Sequence, residues 1–374
     1  MRFHVYNLNI NNDFLAGIYI NSMHIFLSGF IAEATLKYDV KLYGSIKSDK
    51  NSFYNNFIFY MRSKFFLVDV FFNSTKNNKF SRERDLIVVF GYNPLIVMQL
   101  IILKFFGFKT ICYIFDSHKL NLVENNFKSR IIDLYYKFGF FLARFLDVIV
   151  CVNPKFKNEY NKLFSNIVES KIGYSFNSRS LEYKGVSCNV FESNCINVIY
   201  GGTLNEDNGA HLILELIRKK FPFDIKFIVY GFGDLADKFN KESKVNNKLK
   251  FVGKQPNSNI KYLVNKADIC IHLRDPNSIN KNIAFPSKLI EYLFNSKVVI
   301  TNDFPALENE MKQAMVNVCS FTVEDMYNFL LVFEKTNDVI FDKNSIPCAL
   351  EKIRENYHWE KVFNDLESKI NSIK

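Results

Sequence analysis

Short apolar runs rich in β-branched and aromatic residues alternate with longer segments of helical periodicity along most of the chain. In the first half, the short runs predict strands at Arg2–Leu8, Val40–Tyr43, Phe65–Phe71, Leu86–Phe90, Thr110–Phe115 and Val148–Val152. The longer segments predict helices at Ile18–Thr35, Pro94–Phe106 and Lys128–Phe145. Such alternation is typical of parallel sheets covered by helices on both faces.

The second half repeats this pattern. Strands are predicted at Ile196–Tyr200, Ile225–Tyr230, Leu249–Val252, Ile269–Leu273, Val298–Thr301 and Ala314–Val318. Helices are predicted at Ala210–Lys220, Asp234–Lys241, Asn257–Lys266, Lys288–Phe294 and Val323–Lys335, and the last segment, Ile346–Lys374, is also predicted to be helical. The polar stretch Asn177–Asn194 lacks apolar periodicity. The 374 residues are therefore expected to form an α/β protein of two parallel-sheet domains, at 1–180 and 190–350.

Composition narrows the class of protein. Hydrophobic residues make up 48% of the chain and charged residues 23%, which excludes wholesale disorder. The seven cysteines are irregularly spaced, so they predict neither a metal site nor a disulfide framework, and a reducing cytoplasm is the simplest compartment. The longest apolar stretches, Leu86–Phe108 and Phe138–Val152, are interrupted by polar residues, and no membrane-spanning segment is expected.

The chain carries a formal net charge of +10, spread along its length. A nucleic-acid partner would favour a dense basic cluster, so it is not expected. Diphosphate-bearing ligands or an anionic membrane surface fit better. The segment Lys128–Phe145, rich in Phe and Lys, either lies on such a surface or is a buried helix between the domains, and the sequence leaves both open.

In a two-domain chain of this class, ligands bind where loops follow the carboxyl ends of the strands. The second half offers three such loops, at Gly201–Asn208, Gly231–Asp234 and Arg274–Ser287. Glycines in the first two permit close approach of backbone N–H groups to an anion, although many strand-to-helix turns use glycine only for its conformation.

The third loop leads into a helix with a lysine at its start. Lys288 adds a positive charge where the helix dipole already favours phosphate. Glu291 follows one turn later on the same face and could accept hydrogen bonds from a ribose diol. Pro286 fixes the entry of the chain and Ser287 is placed to cap the helix. Each residue alone has an ordinary structural explanation, but the assembled string favours a binding site.

Four stretches of the second half resemble the donor domain of retaining glycosyltransferases of family 4, which have the GT-B fold. They are VIYGGTLNEDNGAHLILELI (Val198–Ile217), FIVYGFGD (Phe227–Asp234), FVGKQPNSNIKYLVNKADICIHL (Phe251–Leu273) and FPSKLIEYLFNSKVVITN (Phe285–Asn302). The last is similar to members with the signature Phe-Pro-Ser-Lys-x-x-Glu-Tyr. The C-terminal YHWEKVFNDL looks like the closing helix of that family, so residues 351–374 are expected to pack back on the first domain.

The resemblance implies two Rossmann-like domains that face each other across a cleft, and it implies roles for individual residues. The matching Glu291 holds the nucleotide ribose, and Lys288 contributes to the catalytic centre. The donor site implied by the resemblance contains Gly17, Gly201, Gly202, Thr203, Asn208, Tyr230, Gly231, Gly233, Arg274, Asn282, Phe285, Pro286, Ser287, Lys288 and Glu291. In the first half, Asp116 and His118 of FDSH are candidates for contact with the sugar or the acceptor, although Asp116 could equally cap a turn.

Three positions depart from the family pattern. The basic pair that grips the donor diphosphate is replaced by Thr203 and Asn208, and the first acid of the two-Glu signature is replaced by Ile283. Because charge-assisted hydrogen bonds are worth about 1.5–3 kcal/mol each, their loss must be compensated or the site is weakened. We expect Lys288, Arg274 and backbone amides to compensate.

The implied activity is transfer of a hexosyl or related sugar from a UDP- or GDP-sugar to a hydroxyl group of a growing, lipid-linked glycan, with retention. No Asp-x-Asp triplet occurs, so no metal or other cofactor is expected. The expected partners are the nucleotide sugar, a glycan or polyprenyl-diphosphate-linked acceptor and the anionic inner face of the plasma membrane, with a cytoplasmic location. Two alternatives stay open: a sugar-nucleotide 2-epimerase of the same fold, and a degenerate scaffold subunit.

Overall fold

The computed structural model describes residues 2–8, 30–31, 33–37, 39–44, 85–114, 127–152, 166–171, 173, 190–192, 194–278, 287–295, 298–304, 307–318, 320–335 and 345–372. The chain divides into two compact units. The first contains Met1–Gly173, Ile283–Phe285 and Trp359–Lys374, and the second contains Tyr174–Asn282 and Pro286–His358.

The first unit is built on a parallel sheet. Its described strands are β1 (Arg2–Leu8), β2 (Asp39–Gly44), β3 (Asp85–Phe90), β4 (Lys109–Ile114), β5 (Val148–Cys151) and β6 (Ile167–Glu169). Their order across the sheet is β2-β1-β3-β4-β5-β6, and all neighbours are parallel. Because parallel neighbours need crossover connections, helices α1 (Pro94–Phe105) and α2 (Phe127–Ala143) follow β3 and β4.

Side chains that alternate along β3 build a core on each face of this sheet. Ile87 and Val89 pack with α1 and α2 on one face. Leu86 and Val88 pack on the other face with the C-terminal helix α10 (Trp359–Ser372). Helix α1 begins where its sequence predicts, because the Asn93 side chain accepts a hydrogen bond from the Leu95 amide at 2.9 Å and Pro94 occupies the first turn.

The second unit has its own parallel sheet. Its described strands are β7 (Ile196–Thr203), β8 (Ile225–Phe232), β9 (Leu249–Gly253), β10 (Ile269–His272), β11 (Val298–Asn302) and β12 (Val316–Val318), in the order β12-β11-β10-β7-β8-β9. The helices are α3 (Ala210–Arg218), α4 (Ala236–Val245), α5 (Asn257–Lys266), α6 (Ser287–Asn295), α7 (Asn309–Gln313), α8 (Val323–Lys335) and α9 (Ser345–Asn356). Read from β9, this is the doubly wound strand order of a Rossmann-like sheet.

Most predicted strands and helices coincide with observed ones to within a few residues. The sequence prediction missed β6 and α7, and β12 begins two residues later than the predicted start at Ala314. The predicted strand Phe65–Phe71 and most of the predicted helix Ile18–Thr35 lie outside the described residues, as does most of Asn177–Asn194. No helix in the described part of the chain is long and apolar enough to span a membrane.

The prediction of one helix over Ile346–Lys374 is wrong, because the segment forms two helices with a break at Tyr357 and His358. Tyr357 is fully buried in the second unit, where its hydroxyl donates to the Glu308 carboxylate at 2.6 Å. Trp359 is buried in the first unit, where its ring covers Gly173. The chain therefore leaves one unit and enters the other between two buried aromatic residues, at the break between the two helices.

Candidate functional site

The candidate site lies in the second unit, where the winding of the sheet changes direction. Strands β7 and β10 are hydrogen-bonded neighbours, and the chain proceeds from β7 to β8 and β9 on one side and from β10 to β11 and β12 on the other. In open parallel sheets, ligands bind outside the carboxyl ends of the strands at such a switch point. Here β7 ends at Thr203, and Arg274 closely follows β10.

The glycines at the ends of β7 and β8 belong to the sheet. Both predicted loops begin later than expected, because β7 continues through Thr203 and β8 through Phe232. The last pairs of the ladder are Gly201 with Tyr230, Gly202 with Gly231 and Thr203 with Phe232. Because glycine has a low strand propensity, the sequence prediction ended both strands early. In the structure, the ends of β7 and β8 pair with each other and stay in register.

Three of these glycines are explained by packing. A Cβ atom on Gly201 would overlap the ring of Tyr230, and one on Gly231 would overlap the carbonyl oxygen of Gly202. A Cβ atom on Gly233 would lie 2.7 Å from the carbonyl oxygen of Leu204. These residues let β7, β8 and the following loop approach one another closely.

Gly202 differs from the other three glycines. Its φ of +126° is strained for any residue with a side chain, yet a Cβ atom there would meet nothing closer than Cγ of Lys288, at 4.0 Å. The stem of Lys288 therefore lies near the end of β7, with room for a side chain of one carbon between them.

Lys288 and Glu291 form an ion pair on the first turns of α6. The Lys288 ammonium lies 2.7 Å from Oε2 of Glu291 and 5.1 Å from the ring centroid of Tyr230. The Glu291 side chain is 3% exposed and the Lys288 side chain 28% exposed. The pair is thus a partly enclosed feature of the unit and not a solvated ion pair on an exposed helix face.

One oxygen of this carboxylate has no partner. Oε1 of Glu291 is buried and makes no hydrogen bond within the described structure, while Oε2 is held by Lys288. Buried carboxylate oxygens are nearly always hydrogen-bonded in folded proteins. The arrangement can therefore accept a hydrogen bond from a donor that is not part of the described chain.

Two residues near this pair, Tyr292 and Lys261, were not part of the site predicted from the sequence. The hydroxyl groups of Tyr230 and Tyr292 lie 3.2 Å apart in the core, and burial raises the pKa of both well above the usual range, so both phenols stay neutral. Burial lowers the pKa of Lys261 on α5, and the negative charge of Glu291 acts in the opposite direction. Tyr292 adjoins Glu291 in the motif and could have been included, whereas no sequence signal links Lys261 to it.

Arg274 is fixed at the end of β10 by a side-chain amide. Asn302 accepts from the Arg274 backbone N–H at 2.9 Å and donates to its carbonyl oxygen at 2.7 Å. Burial raises the pKa of Tyr200, and the nearby Arg274 guanidinium acts in the opposite direction. Burial lowers the pKa of His272, and Arg274 lowers it further. Arg274 therefore brings positive charge to the switch point.

The two positions that lack the basic residues of the family pattern lie at the end of β7 and on the loop that follows it. Thr203 is exposed, and the Asn208 side-chain amide donates to its carbonyl oxygen at 2.9 Å. The Tyr200 hydroxyl donates to the Asn208 carbonyl oxygen at 2.7 Å. The amide of Asn208 thus closes the loop locally.

Several predicted site residues lie outside the described residues: Gly17, Asp116, His118, Asn282, Phe285 and Pro286, together with Ile283 and the side chain of Ser287. Helix α6 begins at Ser287, and the capping role expected of its side chain stays a prediction. Within the described residues, no group of three or more His, Cys, Asp or Glu side chains is arranged to hold a metal ion.

Comparison with known structures identifies the fold. HepE of Anabaena in complex with UDP matches with a TM-score of 0.66 at 12% identity over 99% of each chain. A sucrose-phosphate synthase from Thermosynechococcus elongatus matches with 0.66 at 12% identity over 98% of each chain. A glycosyltransferase from Rickettsia africae matches with 0.63 at 13% identity, over 100% of this chain and 98% of that chain. The chain has the GT-B fold, with two parallel-sheet α/β domains.

A narrower similarity concerns the second unit. Residues 190–319, which include β7 to β12, match the family model of glycosyl transferases group 1. No curated protein sequence matches the chain. The matched segment contains Gly202, Arg274, Lys288 and Glu291, the residues that surround the switch point.

Proposed function

We propose that the protein is a glycosyltransferase of the group 1, family 4 type that moves a hexosyl or related sugar from a nucleoside-diphosphate sugar to an acceptor hydroxyl group. The observation that carries this proposal is the buried Glu291 carboxylate beside Lys288, with one oxygen that has no partner among the described residues. Similarity of residues 190–319 to glycosyl transferases group 1 supports it. HepE of Anabaena, of the same fold, has been crystallised with UDP, with UDP and glucose, and with UDP-glucose.

In this proposal each group of the site has a chemical task. The free oxygen of Glu291 accepts a hydrogen bond from a ribose hydroxyl group of the donor. The ammonium of Lys288, together with Arg274, neutralises the diphosphate near the end of β7. Lys288 and Arg274 thereby take the part of the basic pair that Thr203 and Asn208 replace.

The proposed reaction proceeds with retention at the anomeric carbon. The bond between that carbon and the diphosphate oxygen breaks, and the acceptor oxygen forms a new bond on the same face of the sugar. The acceptor proton goes to the departing diphosphate oxygen. The protein orients both substrates, stabilises the negative charge that develops on the diphosphate and excludes water.

The acceptor is proposed to be a glycan or a polyprenyl-diphosphate-linked sugar in cell-surface polysaccharide synthesis. Transfer at the cytoplasmic face of the plasma membrane would give the protein access to both a soluble nucleotide sugar and a lipid-linked acceptor. Support comes from the basic, Phe-rich helix α2, which offers a surface suited to anionic lipid.

The proposal is tested with a panel of UDP- and GDP-sugars, by measuring released nucleoside diphosphate with and without lipid-linked glycan acceptors. Acceptor-dependent release is expected for the wild-type protein, and it should fall by at least about tenfold in Lys288→Met. Lys219→Met removes the lysine of an exposed ion pair with Glu324 in the same unit, and should leave the rate unchanged.

Two other outcomes would contradict this proposal. Release of nucleoside diphosphate together with a free 2-epimerised sugar would identify an epimerase. If calorimetry detects no binding of any nucleotide sugar to a folded protein, a scaffold role is the better explanation.

A further inference from the structure

Large apolar side chains are exposed together on one side of the first unit. Of the fifteen such side chains that are exposed in the described residues, eleven lie on or directly after α1 and α2. These eleven, which we call the aromatic face, are Met98, Ile102, Phe105, Phe106, Phe127, Ile131, Leu134, Tyr135, Phe138, Phe141 and Phe145. The two helices are in contact, and the Tyr135 hydroxyl on α2 donates to Asn93 at the start of α1 at 2.8 Å. Soluble monomers rarely expose apolar residues at this density without a partner for them.

Helix α2 is apolar on two opposite sides. Its inner side contributes Phe140 and Ala143 to the core of the sheet. Its outer side carries one line of large residues at intervals of four, three, four and three, and Phe145 continues this spacing directly after the helix. They are Phe127, Ile131, Leu134, Phe138, Phe141 and Phe145, which are 46–80% exposed. A helix with apolar residues all round is normally buried, so the outer line calls for an apolar environment.

Basic residues accompany this line at regular intervals. Arg130, Lys137 and Arg144 are seven residues apart, so they form a row along one side of the apolar line. From Phe127 to Phe145 the chain has four basic residues and one acid, Asp133, which pairs with Lys137 at 2.6 Å. The Arg144 guanidinium lies 3.8 Å from the ring centroid of Phe141 and 4.6 Å from that of Phe145. A positive charge is therefore in direct contact with two exposed aromatic rings.

We propose that the aromatic face docks on the surface of a lipid bilayer that contains anionic lipids, an inference that rests on the membrane location given under the proposed function. Aromatic and aliphatic side chains enter the boundary between headgroups and acyl chains, while adjacent Lys and Arg residues pair with headgroup phosphates. The stacking of Arg144 on two phenylalanine rings favours an interface where apolar and anionic groups meet within a few ångströms.

Charge disfavours a second copy of the chain as the occupant. Two α2 helices packed along their apolar lines would bring the flanking positions into contact. In an antiparallel pair, the rows of Arg130, Lys137 and Arg144 would face each other and repel. In a parallel pair, Arg130 and Lys137 would face Tyr135 and Leu142 of the other copy, so neither arrangement supplies an acid.

The test is sedimentation of the full chain with two kinds of vesicle. One contains only neutral phosphatidylcholine, and the other also contains about 30 mole per cent phosphatidylglycerol, which makes the surface anionic. We expect binding to the anionic vesicles and roughly tenfold weaker binding to the neutral ones. Leu134→Asn with Phe138→Asn should weaken binding at least roughly tenfold. Arg130→Gln with Arg144→Gln should weaken it about 10- to 30-fold and reduce its dependence on salt.

Matched controls come from the second unit. Val245→Asn with Val332→Asn changes two exposed apolar residues, and Lys238→Gln with Lys241→Gln changes two exposed basic residues. Neither should alter binding to vesicles. UDP binding should be the same in all variants, which separates failure of this proposal from failure of the proposed function.

Three results would overturn the proposal. They are no binding of folded wild-type protein to anionic vesicles, equal binding to neutral and anionic vesicles, and equal binding by the control and aromatic-face variants. Association of the protein without vesicles, abolished by Leu134→Asn with Phe138→Asn, would identify a second copy as the occupant.

Discussion

At the scale of single residues, the site is defined by a carboxylate that the fold satisfies only in part. Burying a charged group is costly unless it is paired and fully hydrogen-bonded. Glu291 is paired through Oε2, but its second oxygen is buried and has no partner in the part of the chain that the structure describes. A ligand hydroxyl group that donates to this oxygen would recover part of the cost, which is a physical reason for tight binding of a diol at this point.

The tasks assigned to Lys288 and Glu291 can be separated by their ligands. Lys288→Met should weaken binding of both UDP and inorganic pyrophosphate by about 10- to 150-fold, because both ligands carry the diphosphate charge. Glu291→Gln should weaken only UDP, because pyrophosphate has no ribose. Isothermal titration calorimetry measures all four affinities.

The contrasting result is equally specific. If Glu291→Gln weakens pyrophosphate as much as UDP, the carboxylate acts by positioning Lys288 and does not bind the ribose. Retention of full UDP affinity by Lys288→Met would place the diphosphate elsewhere.

His272 makes stability depend on pH in a predictable direction. Burial, assisted by Arg274, lowers the pKa of His272 from 6.5 to about 3 in the folded protein. Below pH 6.5 the unfolded chain binds a proton at this residue and the folded chain does not, so acid favours unfolding. The stabilising contribution is complete above pH 6.5 and is lost as pH falls towards 3, by about 2 kcal/mol between pH 6.5 and 5.

This dependence is measured by urea unfolding of the wild type and of His272→Gln between pH 5 and 8. The variant should lose less stability than the wild type over the acidic part of this range. Equal slopes for both proteins would mean that His272 is protonated in the fold.

At the scale of elements, α10 is held to the first unit by one large contact. Trp359 is 1% exposed, and Gly173 lies directly under its ring. At the other end of the helix, the Lys369 ammonium donates to the carbonyl oxygen of Glu169 at 2.9 Å. The helix is amphipathic, with Val362, Phe363 and Leu366 also buried, so most of its stability comes from this apolar face.

Gly173→Ala should destabilise the first unit by about 1–3 kcal/mol, because the added methyl group would overlap the Trp359 ring. The chain contains one tryptophan, so Trp359 fluorescence during urea unfolding reports on this core directly. Asn371→Ala, at an exposed position of the same helix, should change stability by less than about 0.5 kcal/mol. Equal effects of the two substitutions would contradict the importance of the contact.

At the scale of the whole molecule, the two units carry different surfaces. The second unit gathers Lys288 and Arg274 around the switch point, and the first unit presents the basic and aromatic side of α2. A net charge of +10 also attracts anionic ligands generally. Specific binding of a nucleotide sugar must therefore be distinguished from attraction by this overall charge.

We expect sugar transfer to be independent of divalent metal ions, because the cationic side chains of the site neutralise the diphosphate in the proposed reaction. Release of nucleoside diphosphate by the wild type should change by less than about twofold when EDTA is added. Loss of activity with EDTA and recovery with Mn²⁺ would refute this expectation. Addition of Mn²⁺ to Lys288→Met tests whether a metal ion can replace the lysine.

Local sequence predicted the elements better than their connections. The periodicity of Asn257–Lys266 and Val323–Lys335 identified α5 and α8 to the residue. The same reasoning ended β7 and β8 too early, because the pairing of Gly202 with Gly231 is a contact between distant residues. The break in the helix at Tyr357 was not predicted for a similar reason. Tyr357 and Trp359 are buried in different units, and their contacts are with residues distant in the sequence.

By itself, the sequence determined the class of fold and the placement of Lys288 and Glu291 one turn apart, because periodicity and helical spacing are local properties. The tertiary structure alone decided that Glu291 is buried with a free oxygen and that Lys288 stands above Tyr230 and opposite Gly202. It also decided that the outer line of α2 is exposed. Burial and approach depend on which distant strands and helices become neighbours, and no local pattern encodes them.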